Sequence, residues 1–506
     1  MSNHGFSRRY FFFGTLLAGA VPAGGFGRTP SLKLLGYKSP NEKLNIAAIG
    51  AGGRGAPDIG GCATENIVAL ADPDSRRAEQ TFKRYESARK YTDFRRMLDK
   101  EGKNIDAVII ATPDHTHASA AMWAIERGKH VYVEKPLTRT VWEARLLTEA
   151  AAKYKVATQM GNQGYSNDGA RIAAEIIWSG EIGNVTEVHT WTNRPIWPQG
   201  IETLPPEEAA PETLDWDAWL GIARMRPYSP AYVPFNWRGW FDFGCGALGD
   251  MACHILGAVN MALLLGAPTS VEVLQQEGKN PYTFPKKSVT RFDFPARGSM
   301  PPVKVFWYDG MSGAAFRPPE VPEGEPIIGG PGAFGASPTF GGPPGPGLGP
   351  GGGPPAGPEA APSGPGRGPG GPGGGPGGRG GGRGGFNPES NGAVFVGDKG
   401  YLSTDTYGAR TRLLPAERMK DYKLPPQFLT RSPGHYRDWI RAAKGGERSC
   451  SDFSIAGPFT EWILLGVVAL HFEGKLEWDS AKMKFTNLPE ANRHIKPEIR
   501  KGWSLT

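Results

Sequence analysis

The sequence predicts an α/β chain in two parts: an N-terminal doubly wound parallel sheet, then an α+β domain carrying a large, open, mainly antiparallel sheet. Three observations carry this. Between residues 43 and 160, short apolar runs alternate with helical stretches, as expected of strands buried on both faces. The first run, Leu44–Ile49, enters a glycine-rich turn, Gly50-Ala51-Gly52-Gly53-Arg54-Gly55. Later strand-like runs at 185–193, 270–277, 289–294 and 303–308 supply the second sheet.

Gly50, Gly52 and Gly55 fall at the G-x-G-x-x-G spacing of a Rossmann nucleotide turn. The first glycine allows the tight turn, and the second lets backbone approach a pyrophosphate. The third lets the next helix pack close, its N-terminus facing the phosphates. With 72 glycines in the chain the pattern alone is cheap, and its context decides. A second apolar strand, Asn66–Ala71, ends in Asp72, where the ribose-binding acid belongs. A carboxylate there accepts from the ribose 2′-hydroxyl and repels a 2′-phosphate, so NAD is expected over NADP, with Arg76 and Arg77 close by.

Residues 1–40 are read as an export signal and linker, outside the fold. Ser7-Arg8-Arg9-Tyr10-Phe11 is a twin-arginine pattern followed by an apolar run too short for a stable membrane span. It predicts twin-arginine export of a folded protein to the periplasm or cell envelope, although Phe13 stands where such signals often carry lysine. The four cysteines show no C-x-x-C spacing, so no metal site and no redox pair is expected. Cys245 and Cys253 read as small buried residues, with one disulfide allowed in an oxidising compartment. The net charge of +7 is spread along the chain and does not indicate nucleic acid.

From 317 to 389 glycine and proline dominate without a strict triplet period, which excludes collagen. This span is expected to be a disordered insert dividing the second domain into 161–316 and 390–506, with 43–160 as the nucleotide domain. Helices near 436–443 and 459–470 are expected to pack back on the second sheet.

In the first domain, the strand Ile105–Ala111 breaks at Thr112-Pro113-Asp114-His115-Thr116-His117, and the strand His130–Val133 ends in Glu134-Lys135-Pro136. Ligands of such sheets gather at these strand ends. With the glycine turn and Gly128-Lys129-His130-Val131, these pieces resemble the glucose–fructose oxidoreductase/inositol dehydrogenase (Gfo/Idh/MocA) family, over 43 to about 310 and again from 393 to 480. The resemblance implies that Thr112, Pro113, His117, Glu134 and Lys135 line the cofactor. Asp114 stands where the family usually has asparagine.

The family's second domain carries a D-x-x-x-H pair, matched by Asp250 and His254, whose i, i+4 spacing puts both side chains on one helical face. Oxidising a secondary alcohol requires removal of the hydroxyl proton as hydride leaves, and histidine suits that step. The resemblance makes His254 the general base, has Asp250 bind the hydroxyl or tune His254, and has Lys135 polarise the hydroxyl. Gly257 stands where the family often has an acid.

Between the motifs lies an aromatic-rich segment, suited either to stacking on sugar rings or to a core. Trp197, Trp237, Arg194, Arg238, Asn162 and Gln163 are the substrate candidates. The reading that results is an NAD-dependent oxidoreductase acting on a secondary hydroxyl of a sugar or cyclitol, in a chain expected to form a homo-oligomer. The alternative is an NAD-dependent glycoside hydrolase that oxidises, eliminates, hydrates and re-reduces with retained NAD. A non-enzymatic surface role would predict loss of Lys135, Asp250 and His254, and all three are present.

Overall fold

The computed structural model describes residues 41–330, 332–335 and 388–505. The span read as an export signal and the bulk of the Gly/Pro-rich span lie outside the described residues. The first domain runs β1 (Asn45–Ile49), α1 (Gly55–Gly61), β2 (Asn66–Ala71), α2 (Ser75–Arg84), β3 (Arg89–Tyr91), α3 (Phe94–Glu101), β4 (Ala107–Ile110), α4 (Asp114–Glu126), β5 (His130–Glu134), α5 (Val141–Tyr154) and β6 (Thr158–Gly161). All six strands are parallel, in the order β3-β2-β1-β4-β5-β6. The order reverses between β1 and β4, so their C-terminal ends open a crevice at the topological switch point. The sheet is buried on both faces, which explains why its strands read as unbroken apolar runs.

The second domain contains α6 (Asp168–Trp178), β7 (Val185–Trp191), α7 (Trp216–Leu220), α8 (Gly246–Leu263), β8 (Ser270–Glu277), β9 (Lys287–Phe294), β10 (Val303–Tyr308), β11 (Gly392–Gly397), β12 (Gly400–Asp405) and β13 (Thr411–Leu414). It ends with α9 (His435–Ala443), α10 (Phe453–Ala469), β14 (Lys475–Asp479) and β15 (Lys484–Phe485). Nine strands form one sheet, β13-β12-β11-β7-β10-β9-β8-β14-β15, antiparallel except for the β7/β10 pair. Helices α6, α8 and α10 cover one face, and α10 also packs on α5, so the helical layer joins the two domains. Helix α8 is apolar and long enough to cross a bilayer, yet nearly all of it is buried inside the fold; it is a core helix.

Two expectations are corrected. Helix α9 does not pack on the second sheet: Tyr436, Trp439, Ile440 and Ala443 join Leu44, Ile46, Ala48 and Ile109 under the first. A doubly wound sheet needs helices on both faces, and α9 supplies one that the first domain's own sequence lacks. The insert does not begin at 317. Val321, Ile327 and Ile328 are buried against Trp191, Val394 and Leu414 on the face of the second sheet turned away from the helices. Strand alternation sends Ala393 and Phe395 to the helical core and Val394 to that other face, which this segment covers. Arg412, almost fully buried, donates to Glu325 Oε1 at 2.6 Å and fixes the same segment. Cys245 and Cys253 are buried, as the sequence suggested, and all four cysteines are free; Cys253 Sγ meets the Gly249 carbonyl at 3.4 Å.

The aromatic segment, weighed between sugar stacking and core, is largely a separate core. Trp216 stacks on Trp219 at 4.7 Å between centroids, and Tyr232 meets Trp240 edge-on at 4.9 Å.

Two outcomes follow. Excising 317–335 should destabilise the protein by several kcal/mol, because Ile327 and Ile328 each represent a loss of about 2–5 kcal/mol. Replacing 336–387 alone by a short Gly/Ser linker should leave the Tm within a few degrees. Thermal melts of the two deletions compare them directly. Stability should also fall with acid. Burial holds His115 and His435 down to about 4, both nine-tenths or more buried and bonded to main chain. Their folded pKa lies below the unfolded value near 6.5, so the stabilisation is complete above that value and is lost as pH falls toward 4. A Tm series from pH 7.5 to pH 5 should decline steadily.

Candidate active site

The crevice at the first sheet's C-terminal edge is built from four strand ends. At β1, Gly50 has φ +82° and Gly53 φ +52°, both left-handed. A Cβ on Gly55 would lie 1.8 Å from the Gly50 carbonyl oxygen, so no side chain fits there. Arg77 packs across Gly52 and Gly53. Asp72, at the end of β2, accepts from Gly52 N and Asp74 N, each at 2.9 Å. Burial pushes its pKa up to about 6 against those two bonds. A second-domain loop closes beside it: Ser75 N donates to Thr213 O at 2.9 Å and Asp215 N to Pro73 O at 2.8 Å.

At β4, Thr112 Oγ1 is buried without a hydrogen-bond partner. Pro113 leads into α4. His117 turns away from the crevice: its two ring nitrogens lie 2.8 Å from the carbonyls of Pro136 and Thr112, bracing the β4 and β5 ends together. Its expected cofactor contact is therefore withdrawn. A strand-end spacing gives the position of a side chain but not its direction.

At β5, Glu134 accepts from Arg54 Nε at 3.1 Å and Gln163 Nε2 at 2.9 Å. Burial raises its pKa, but Arg54 and Lys135 outweigh burial and bring it down to about 2. Arg54 also meets Asp58 and Tyr436, a network invisible in the sequence because Tyr436 is far along the chain. Asn162 is fully buried, accepting from Ser451 Oγ at 2.7 Å and donating to Cys253 O at 3.5 Å. It ties the strand end to α8 and does not face a substrate. Gln163 holds Glu134 and Tyr132 and acts through them.

Helix α8 brings the other half. Lys135 Nζ donates to Asp250 Oδ1 at 3.0 Å and to the Asp250 carbonyl at 2.9 Å. Arg238 Nε donates to the same Oδ1 at 3.2 Å. Burial would raise Asp250, but Lys135 and Arg238 prevail and hold it well below the usual carboxylate range. One turn on, burial and Lys135 lower His254 to about 3, and its Nδ1 is buried without a partner. Gly257 faces Tyr165, whose ring would sit 3.3 Å from a Cβ there, so a side chain at 257 would push the ring by a few tenths of an ångström.

Trp237 and Trp197 are buried, and the Arg238 guanidinium lies over Trp237 at 4.3 Å and Phe235 at 4.6 Å. Their rings position Arg238. Arg194 follows β7, its Nη1 donating to Asn193 Oδ1 at 2.6 Å. Tyr407, on the β12–β13 hairpin, meets the His254 ring edge-on at 5.0 Å and was not foreseen. It follows the low-complexity span, with no motif around it. Among the described residues no group of three His, Cys, Asp or Glu is placed to hold a metal.

A dinucleotide fits this crevice. The Asp72 carboxylate stands at the ribose position, and the unpartnered Thr112 Oγ1 and His254 Nδ1 lie where polar ligand groups would satisfy them. Fold and site thus define a two-domain chain with an NAD-binding Rossmann crevice. The matches to known proteins agree: the NAD-binding Rossmann fold of one oxidoreductase family matches residues 44–162. That family's C-terminal alpha/beta domain matches residues 177–283. The chain belongs to the Gfo/Idh/MocA oxidoreductase family.

It is 27% identical over 195 residues, 38% of the chain and 40% of the relative, to levoglucosan dehydrogenase of Pseudarthrobacter phenanthrenivorans. It is 35% identical over 117 residues, 23% of the chain and 34% of the relative, to scyllo-inositol 2-dehydrogenase (NAD(+)) of Bacillus subtilis. The chain therefore spans two fifths or less of these curated relatives. The fold is shared with the WlbA dehydrogenase of Bordetella pertussis, solved with NADH and UDP-GlcNAcA. That likeness has a TM-score of 0.54 and 13% identity, over 87% of this chain and 99% of the other.

Asp72→Ala should weaken NAD binding and improve relative acceptance of NADP. In the unmutated protein, NAD affinity should be full above pH 7 and fall as Asp72 is protonated through about 6. Fluorescence titration with NADH and NADPH across pH 5–8 checks both.

Proposed function

We propose that the chain is an NAD-dependent dehydrogenase acting on a secondary hydroxyl of a sugar or cyclitol. The observation that carries this reading is the meeting of Lys135, from the end of β5, with Asp250, one turn before His254 on α8. The three groups converge from two domains beside the nucleotide crevice. Bound NAD supplies the hydride acceptor. Lys135, held by Asp250, donates a hydrogen bond to the substrate oxygen and stabilises negative charge developing there. His254 accepts the hydroxyl proton as the C–H bond breaks and the carbonyl forms. Its lowered pKa keeps it uncharged throughout the working range, ready to accept a proton that becomes acidic only as hydride departs. Arg238 shares the charge of Asp250 and fixes its carboxylate plane.

The similarity to proteins named as levoglucosan and inositol dehydrogenases supports net oxidation, and redox-neutral glycoside cleavage is not favoured. Export through the twin-arginine route is part of the proposal and rests on Ser7-Arg8-Arg9. So is assembly into a homo-oligomer, for which a sedimentation measurement is the check.

His254→Ala should lower turnover about 10²–10⁴-fold, the range for losing a general base, with NAD affinity nearly unchanged. Lys135→Ala should lower turnover as well and also loosen the nicotinamide end of the cofactor. Steady-state NADH formation, paired with NAD titration of each variant, separates the effects. Full turnover in His254→Ala would leave the D-x-x-x-H pair structural.

A further inference from the structure

One face of α8 carries Asp250, His254 and Ala258, spaced a helical turn apart. The turn between β12 and β13 is laid on that face. Tyr407 meets the His254 ring edge-on, with centroids 5.0 Å apart and planes at 67°. Gly408 follows at φ +56°, where a Cβ would stand 3.1 Å from the Ala170 Cβ on α6 and 3.4 Å from the Ala258 Cβ. Two more glycines admit the turn. A Cβ on Gly164 would come within 2.5 Å of the Tyr407 carbonyl oxygen, and one on Gly169 within 2.4 Å of the Ala409 carbonyl oxygen. Polar groups then pin it: Asn167 Nδ2 donates to Tyr407 O at 3.0 Å, and Asp405 Oδ1 accepts from Tyr407 N at 3.2 Å and Ala409 N at 2.8 Å.

The sheet does not require this seat. A hairpin joining β12 to β13 can close in solvent, where water satisfies its backbone groups. What the deep seat achieves is one aromatic ring set against the imidazole of the D-x-x-x-H pair. Edge-on rings at this separation attract, so the contact holds the imidazole plane.

We propose that Tyr407 is a positioning residue for His254: its ring, not its hydroxyl, fixes the imidazole plane and keeps water off it. The inference rests on the dehydrogenase reading, in which His254 is the base, and adds the residue that governs that base. The charged groups facing His254 are Asp250 on its own helix, Lys135 and Glu134 from β5, and Arg54 from the glycine turn. Burial is the largest influence holding the imidazole down to about 3, ahead of Lys135, and the Tyr407 ring supplies part of that burial. Removing the ring opens a space lined by polar groups, which water enters. Hydration favours the charged form, so the imidazole should move up toward its ordinary value near 6.5.

The test is histidine-selective NMR of the full-length, NADH-loaded protein from pH 8 down to about pH 5, with His254→Gln identifying the resonance. In the unmutated protein, and in Tyr407→Phe, which keeps the ring, His254 should stay neutral down to about pH 5. In Tyr407→Ala it should titrate between about pH 5 and 6.5. Turnover of Tyr407→Ala on glucose or myo-inositol, a sugar and a cyclitol, should fall about tenfold to a hundredfold with KM for NAD little changed. An acid limb should appear in its kcat/KM over the same pH range. NADH binding by each variant confirms that it has folded; if Tyr407→Ala fails that check, Tyr407→Leu takes its place and is read in the same way. A neutral His254 at about pH 5 in the variant without the ring, or the same titration in Tyr407→Phe as in Tyr407→Ala, overturns the proposal. The dehydrogenase reading is tested separately. If His254 responds as described while neither polyol reduces NAD, the hold of Tyr407 on the imidazole stands and the result counts against that reading.

Discussion

The buried contact between Lys135 and Asp250 is the constraint on which the rest of the molecule turns, because it is where the two domains must agree. Lys135 ends a strand of the first sheet and Asp250 lies on the core helix of the second domain. Neither side chain can be buried alone: breaking such a pair costs about 3–5 kcal/mol by leaving an uncompensated charge. The pair is not a net source of stability so much as a condition on geometry. Any arrangement that separates β5 from α8 strands two or three charges, Arg238 included, in a poorly solvated cleft. The apolar contacts of α10 with α5 hold the domains together, and the ions select which of the apolar arrangements is permitted.

The same logic repeats one layer back. Glu134 is buried and stays ionised because Arg54 reaches it from the glycine turn and Gln163 from the entry to the second domain. Those bonds couple the floor of the cofactor site to the strand end that carries Lys135. Asp58 faces the same arginine, yet burial and the charge on Glu134 push its pKa well up. One carboxylate keeps the charge and the other gives it up, as close carboxylates must. The second domain also reaches back to the other end of the crevice, where Thr213 and Asp215 bond to Pro73 and Ser75 next to Asp72. Both ends of the cofactor cleft are thus closed by residues from outside the nucleotide fold.

What was legible in the sequence was local. The turn Gly50–Gly55, the acid Asp72 and the pair Asp250/His254 announce themselves through spacing, since their geometry is set within one turn of chain. What failed depended on direction or distance. His117 lies in the first turn of α4 and Asn162 just after β6, but their side chains point into carbonyls and α8. The span after 317 looks incapable of packing by composition, yet three aliphatic residues within it suffice to cover a sheet face. Strand β3 is three residues of Arg-Lys-Tyr and offers no apolar pattern. Helix α9 carries a clear amphipathic pattern, but nothing local says which of two sheets its apolar face will meet. The tryptophans of the 216–240 segment proved mostly core, and Trp237, with Trp197 from before that segment, acts by placing Arg238.

Asp114 is the departure from the family pattern that most needs a physical account. An ionised acid in place of an amide, facing Asp250, would add like charge to a cleft organised around one carboxylate. Burial and then Asp250 push its pKa up to about 7, with Arg238 and Lys135 pulling the other way. Near neutrality the protonated form is therefore well populated, and a protonated carboxyl presents one donor and one acceptor, as the amide would. The substitution keeps the hydrogen-bonding character of asparagine and adds a titration that asparagine lacks. The two cations already shared by Asp250 make this tolerable. With Lys135 and Arg238 both present, the cleft can hold a partial second negative charge without losing the ionisation of Asp250.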